Sequence, residues 1–86
     1  MELHIPASNS LKHKRMILNS LKGRLRSNFN VSVAEVDGYN KWQRATIAVC
    51  TVVSEKKYVH KTMEKILNFA EQFNGVDLLR QEMEIL

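Results

Sequence analysis

Apolar residues recur along this chain with two different periods, and the changes between them divide it into six segments. Four segments alternate apolar and polar residues or are rich in β-branched residues, as strands are; these are residues 2–5, 31–36, 42–53 and 76–86. Two segments repeat apolar residues every three or four positions, as amphipathic helices do; these are residues 11–29 and 55–73. The predicted order of elements is therefore β-α-β-β-α-β.

Both predicted helices carry an apolar stripe that would face a core. Ser10 stands at the N-cap position of the first helix, and Asn74-Gly75 ends the second helix with a C-cap and turn. At about 100° per residue, each stripe is narrow enough to pack against a sheet. The first stripe comprises Leu11, Ile17, Leu18, Leu21, Leu25 and Phe29. The second comprises Val59, Met63, Ile66, Leu67, Ala70 and Phe73.

The order of the elements predicts an α+β fold of the ferredoxin-like type, which is the split βαβ arrangement. A four-stranded antiparallel sheet would carry both helices on one face. The chain of 86 residues is long enough for one modest core, so residues 1–86 are interpreted as a single domain. The second face of the sheet has no remaining element to cover it.

The residues on that open face follow from the pairing of the two central strands, which residues 37–40 join through a turn. If Val36 pairs with Trp42, then Ala34 faces Arg44 on the open side and Ser32 faces Thr46. The same alternation predicts an exposed interface at Ala48, Cys50 and Val52. It directs towards the core Val31, Val33, Ala45, Ile47 and Val49. An exposed apolar patch usually binds a partner, and a second copy of this chain could bind there to form a homodimer.

Charge changes this picture more than overall composition does. The net charge is +4, and the segment from Leu3 to Ala34 contains no Asp or Glu. It contains six cations: Lys12, Lys14, Arg15, Lys22, Arg24 and Arg26. Such a helix attracts polyanions. The single cysteine, the lack of a signal peptide and the lack of a long apolar run predict a cytoplasmic protein with no membrane partner.

Five residues along one flank of the first helix are predicted to bind nucleic-acid phosphates: Lys12, Arg15, Asn19, Lys22 and Arg26. They would form a row about 21 Å long at 1.5 Å per residue, and Arg can bind phosphate in a bidentate manner. The alternative is a solvated helix face, which is the favoured interpretation for Lys56, Lys57 and Lys61 on the second helix.

Trp42 and Arg44 form a second predicted site for nucleic acid, since they would share a strand face. An aromatic residue beside a cation can stack an RNA base. The alternative, which a single tryptophan favours, is that Trp42 packs on Val36 or lies in a dimer interface. Both interpretations place Trp42 near the edge of the open face.

Four blocks of the sequence resemble the signature blocks of a small bacterial family often called YlxP-like, a domain of unknown function. These are residues 2–6 (ELHIP), 10–15 (SLKHKR), 29–37 (FNVSVAEVD) and 42–45 (WQRA). The resemblance implies a ferredoxin-like fold in a bacterial cytosolic protein. It also implies a role linked to the ribosome, because genes of that family often lie among translation and ribosome-maturation factors. His13 departs from the acidic residue usual there, and members usually have several more residues before the first strand.

The residues that could perform catalysis are scattered. His4, His13 and His60 lack the spacing of a metal site, and Cys50 has no histidine near it in sequence. The segment Ala7-Ser8-Asn9 lacks the glycines of a phosphate-binding loop. We therefore expect no enzyme, no cofactor, no metal and no small-molecule substrate.

The sequence thus predicts a non-enzymatic module that docks on structured RNA, most simply ribosomal RNA, in translation or ribosome maturation. The alternative is a protein-interaction module that forms a homodimer through the open sheet face.

Overall fold

The structure, a computed structural model, describes residues 1–86 and contains four strands and two helices in the predicted order. The strands are β1 (Glu2–His4), β2 (Val31–Asp37), β3 (Arg44–Thr51) and β4 (Asp77–Arg80). The helices are α1 (Leu11–Asn28) and α2 (Val59–Glu71), and one turn of 3-10 helix at Lys56–Tyr58 precedes α2.

The strands form one antiparallel sheet in the order β2-β3-β1-β4, which leaves β2 and β4 as its edges. This arrangement confirms the predicted α+β, ferredoxin-like class. The short β1 pairs with a strand on each side, and Met1 lengthens its contact with β3: the Met1 amine donates to the Ile47 carbonyl at 2.8 Å. Partial burial lowers the pKa of this amine from its usual value of 8.0, although Glu2 acts in the other direction.

The predicted N-cap of α1 is confirmed, because the backbone N–H of His13 donates to Ser10 Oγ at 3.0 Å. The bond satisfies one of the donors that a helix start leaves free. The helix ends at Asn28, where the chain turns extended and the N–H of Phe29 still donates to the Leu25 carbonyl at 2.9 Å. A two-residue connection then leads directly into β2.

The core lies between the helices and one face of the sheet. Its buried residues come from both helices, from β1, β2 and β3, and from two residues beside the strands, Ile5 and Val76: Leu3, Ile5, Leu18, Leu21, Leu25, Val33, Ala45, Ile47, Ile66 and Val76. Val31 and Val49, which were also predicted to face the core, are only partly buried. Phe29 and Phe69 add an edge-to-face contact at 5.6 Å between ring centroids, an arrangement that aromatic pairs prefer. The predicted burial of Leu18, Leu21 and Leu25 is therefore confirmed.

The predicted register of the β2–β3 hairpin is wrong by four residues. Ala34 pairs with Ala48 rather than Arg44, and Ser32 pairs with Cys50 rather than Thr46. The pairing is interrupted by a bulge between Glu35 and Asp37, and the connection after β2 is longer than a tight turn. Because four is an even number, the shift leaves the residues that pair between Val31 and Glu35 of β2 and Ile47 and Thr51 of β3 on their predicted faces.

Several element boundaries also differ from the prediction. The strand expected from residue 42 begins at Arg44, and the helix expected from residue 55 begins with the 3-10 turn. The last strand ends at Arg80 instead of Leu86. Its only neighbour is the three-residue β1, so residues 81–86 have no strand with which to form a ladder.

Candidate nucleic-acid interface

The predicted basic row runs along the flank of α1 that lies beside the outer edge of β2. Arg26 fixes this orientation, because its guanidinium donates to the Val33 carbonyl of β2 at 2.9 Å. At about 100° per residue, all five members of the row lie within about 80° of the helix circumference. Lys22 is half-buried, and the other four are exposed. The helix therefore presents them together on one side of the molecule.

Almost all of the positive charge of α1 is free of acidic partners. The ion pairs of the whole molecule are His4–Asp77, Lys14–Glu35, Lys57–Glu55 and Arg80–Glu82. Only Lys14 among them belongs to α1. The remaining five cations of the helix are thus available to an external anion, at a cost limited to their own desolvation.

Arg26 has an additional structural role that the sequence did not indicate. Its bond to Val33 satisfies a carbonyl on the unpaired side of β2. A guanidinium carries five N–H donors, so Arg26 keeps donors for a phosphate while one nitrogen holds the strand edge.

Lys14 differs most from its predicted environment, because it points inward from the acid-free helix and is only 2% exposed. Its ammonium donates to the Gly38 carbonyl at 2.6 Å and lies 2.9 Å from Glu35 Oε2. The carboxylate oxygen has no aligned hydrogen bond, so the contact with Lys14 is a charge contact. A buried lysine normally requires such partners.

The sequence did contain a signal for this buried pair. Lys14 lies four residues before Leu18 and seven before Leu21, so it falls inside the apolar stripe. Glu35 follows the inward-facing Val33 by two residues and therefore shares its face of β2. Opposite charges at two core positions of neighbouring elements indicate an internal ion pair.

The loop between β2 and β3 is held by Gly38 and by its contacts with α1. Gly38 has φ +81°, and a Cβ there would lie 3.3 Å from the Arg44 carbonyl, so another residue would be strained. Its carbonyl accepts from the backbone N–H of Lys41 at 3.0 Å as well as from Lys14. At the far end of the loop, Gln43 Nε2 lies 3.2 Å from the carbonyls of Pro6 and Ser8.

Trp42 lies in this loop rather than on β3, so its predicted pairing with Val36 and shared strand face with Arg44 are wrong. Both side chains are exposed, with Trp42 at 55%. The cation–π contacts in the molecule are those of Arg24 with Phe73 and Lys57 with Tyr58. Trp42 and Arg44 are therefore separate surface groups near one end of the sheet.

The open sheet face has an apolar half and a charged half. Ala48, Cys50 and Val52 are exposed as predicted, although Val52 lies one residue beyond the end of β3. On the other half, His4 pairs with Arg44 across the strands and its ring lies 3.5 Å from Asp77. The exposed small apolar residues thus lie on the β2–β3 side, and Leu79 of β4 is a further exposed apolar residue at the opposite edge strand.

The surface also contains open depressions. One open depression lies between α2 and the segment after β4, and a second lies beside Arg24 and Phe73. No group of three His, Cys, Asp or Glu residues is placed to hold a metal ion. Neither helix combines the length and the apolar character needed to cross a bilayer.

The fold and this surface together define a small ferredoxin-like domain with a basic helical flank. The chain matches the family described as "Protein of unknown function (DUF503)" over residues 1–83, and it belongs to that family. It is 30% identical over 70 residues to the "Uncharacterized protein YlxP" of Bacillus subtilis (strain 168). That match covers 81% of this chain and 76% of the relative. The predicted resemblance to YlxP-like proteins is thereby confirmed.

Proposed function

We propose that this protein is a non-enzymatic cytoplasmic module that docks on structured RNA through the basic flank of α1. One observation carries the proposal: five of the six cations of α1 lack an acidic partner anywhere in the molecule. Unneutralised charge on a rigid helix is a ready site for a phosphate backbone.

The dimensions of the flank suit a nucleic acid better than a small anion. From Lys12 to Arg26 the row covers about 21 Å at 1.5 Å per residue. Successive phosphates along a strand are several ångströms apart, so a row of that length reaches several of them. We propose ribosomal RNA as the target, which follows from the ribosome-linked role that the family resemblance implies.

The test compares two double charge reversals that change the net charge equally. Arg15→Glu with Lys22→Glu removes cations from the basic flank, and we expect binding to purified ribosomal subunits to fall by more than tenfold. The salt dependence should also become shallower, because fewer counterions are released on binding.

The matched control is Lys61→Glu with Lys65→Glu, since both lysines are exposed on α2 and neither forms an ion pair. We expect it to change the affinity by a much smaller factor. Equal losses from the two double variants would reduce the interaction to nonspecific charge attraction. Absence of binding by the wild type at low salt would contradict the proposal.

A second candidate function is homodimerisation through the apolar half of the open face. It is favoured by Val52, which is 83% exposed, beside the small residues Ala48 and Cys50. Apolar association should persist or strengthen as salt increases, whereas docking on phosphates should weaken linearly in log salt. A salt titration therefore separates the two candidates.

A further inference from the structure

Tyr39 is an exposed aromatic residue in the turn between β2 and β3. It is 59% exposed and lies in the turn that the Gly38–Lys41 hydrogen bond closes. Its hydroxyl donates to the Glu35 carbonyl at 3.1 Å. The side chain is therefore directed back along β2 rather than outward into solvent from the loop tip.

Two backbone carbonyls of β2 give the position of Tyr39 relative to the basic row. Arg26 and Tyr39 donate to the carbonyls of Val33 and Glu35, which are two residues apart on an edge strand. Alternate carbonyls of a strand point to the same side, and two residues span about 7 Å. Tyr39 thus lies on the same outer edge of β2 as Arg26.

The ring is held in place before any ligand arrives. The Tyr39 hydroxyl donates to the backbone carbonyl of Glu35. The Tyr39 backbone belongs to the turn whose Gly38 carbonyl accepts a hydrogen bond from the buried Lys14. Lys14 lies between Lys12 and Arg15 in α1, so the turn is tied to the helix that carries the basic row. A fixed aromatic ring loses little conformational entropy when a ligand stacks on it.

We propose that Tyr39 is a stacking site for an unpaired RNA base, adjacent to the phosphate-binding flank of α1. The proposal rests on the proposed function and specifies the kind of RNA that is bound. The target is RNA in which an unpaired nucleotide lies beside a base-paired helix of the RNA, as in a bulge or a loop. Base-paired RNA hides its base faces within the stacked helix, whereas unpaired bases can stack on aromatic side chains. Lys41, which follows in the same turn, adds a cation near this position.

The experiment measures the affinity of the protein for two labelled RNAs by fluorescence anisotropy at low salt. One is a fully paired duplex, and the other is the same duplex with a short bulge of unpaired adenosines. We expect the wild type to bind the bulged RNA about fivefold more tightly or better, the lower end of the measured effect of one stacked base.

Tyr39→Ala should remove the preference for the bulge and leave the affinity for the paired duplex unchanged, which also shows that the variant is folded. Tyr39→Phe keeps the ring without its hydroxyl anchor and should retain part of the preference. The matched control is Tyr58→Ala, because Tyr58 is also a surface tyrosine, 48% exposed, but lies before α2. It should keep the full preference.

Two results would overturn the proposal while leaving RNA docking intact: equal affinity of the wild type for both RNAs, or an undiminished bulge preference in Tyr39→Ala. Failure of the wild type to bind either RNA would overturn the proposed function, and the stacking site with it.

Discussion

At the scale of single residues, the buried Lys14 connects α1 to β2 and to the turn that follows β2. It belongs to a helix rich in cations, yet it contributes nothing to the external charge because Glu35 neutralises it. Its second contact, with the Gly38 carbonyl, fixes the turn between β2 and β3. The exposed Tyr39 follows Gly38 directly, so it belongs to a turn that is tied to α1.

A double-mutant cycle tests the coupling between Lys14 and Glu35. Lys14→Met should lower the free energy of unfolding by about 3 kcal/mol or more, because it leaves a mostly buried carboxylate without its partner. Combining it with Glu35→Leu should recover much of that loss, since two apolar side chains need no charge partner. Urea denaturation measures both changes. Strictly additive losses would contradict a direct coupling between the two residues.

At the scale of elements, α1 performs three tasks. Its apolar stripe fills the core, Lys14 holds the hairpin turn, and the basic flank lies beside the edge of β2. The edge itself is protected against pairing with another strand. Arg26 donates to one backbone carbonyl of β2, and the charged side chain of Glu35 points inward from the strand. The bulge also interrupts the regular pairing of β2 with β3.

Leu21→Ala tests the role of α1 in the core. Leu21 is fully buried, so the truncation should lower the free energy of unfolding by about 2–5 kcal/mol. Native proteins have about 5–15 kcal/mol in total, so this loss would be a large fraction of the stability. Its denaturant midpoint, compared with that of the wild type, gives the measurement. An unchanged midpoint would remove α1 from the core.

At the scale of the whole molecule, the two proposed interaction surfaces lie on different sides. The basic flank borders the outer edge of β2, and the apolar half of the open face lies beneath β2 and β3 on the side away from the helices. A dimer formed through the open face would therefore leave the basic flank exposed. RNA docking and self-association can be tested independently in the same protein.

Val52→Glu tests self-association. If the open face forms a dimer, the substitution should shift sedimentation from dimer towards monomer, because it would bury an unpaired carboxylate at the contact. Helical circular dichroism should not change, since Val52 lies outside the helices and is exposed. Met16→Glu is the control, as Met16 is an exposed apolar residue on α1. A wild type that remains monomeric at high concentration would exclude this interface.

Local patterns in the sequence determined the elements, their order and the face on which each strand residue lies. The apolar stripes of both helices and the outward positions of Ala48 and Cys50 follow from periodicity. The N-cap at Ser10 follows from the residue type that stands before the first helical residue. Periodicity depends only on the geometry of each element, so it is preserved even when a register shifts by four residues. The acid-free basic flank could also be predicted from the sequence, because all of its residues belong to one helix and their spacing alone places them on one side of it.

Tertiary structure alone decided how those elements meet. The register of β2 on β3 depends on the bulge and on the loop anchored by Lys14, Gly38 and Gln43, and these contacts join residues far apart in sequence. The length of β4 depends on β1, its only neighbour. Such contacts are set by pairing between elements, and a period within one element carries no information about its partner.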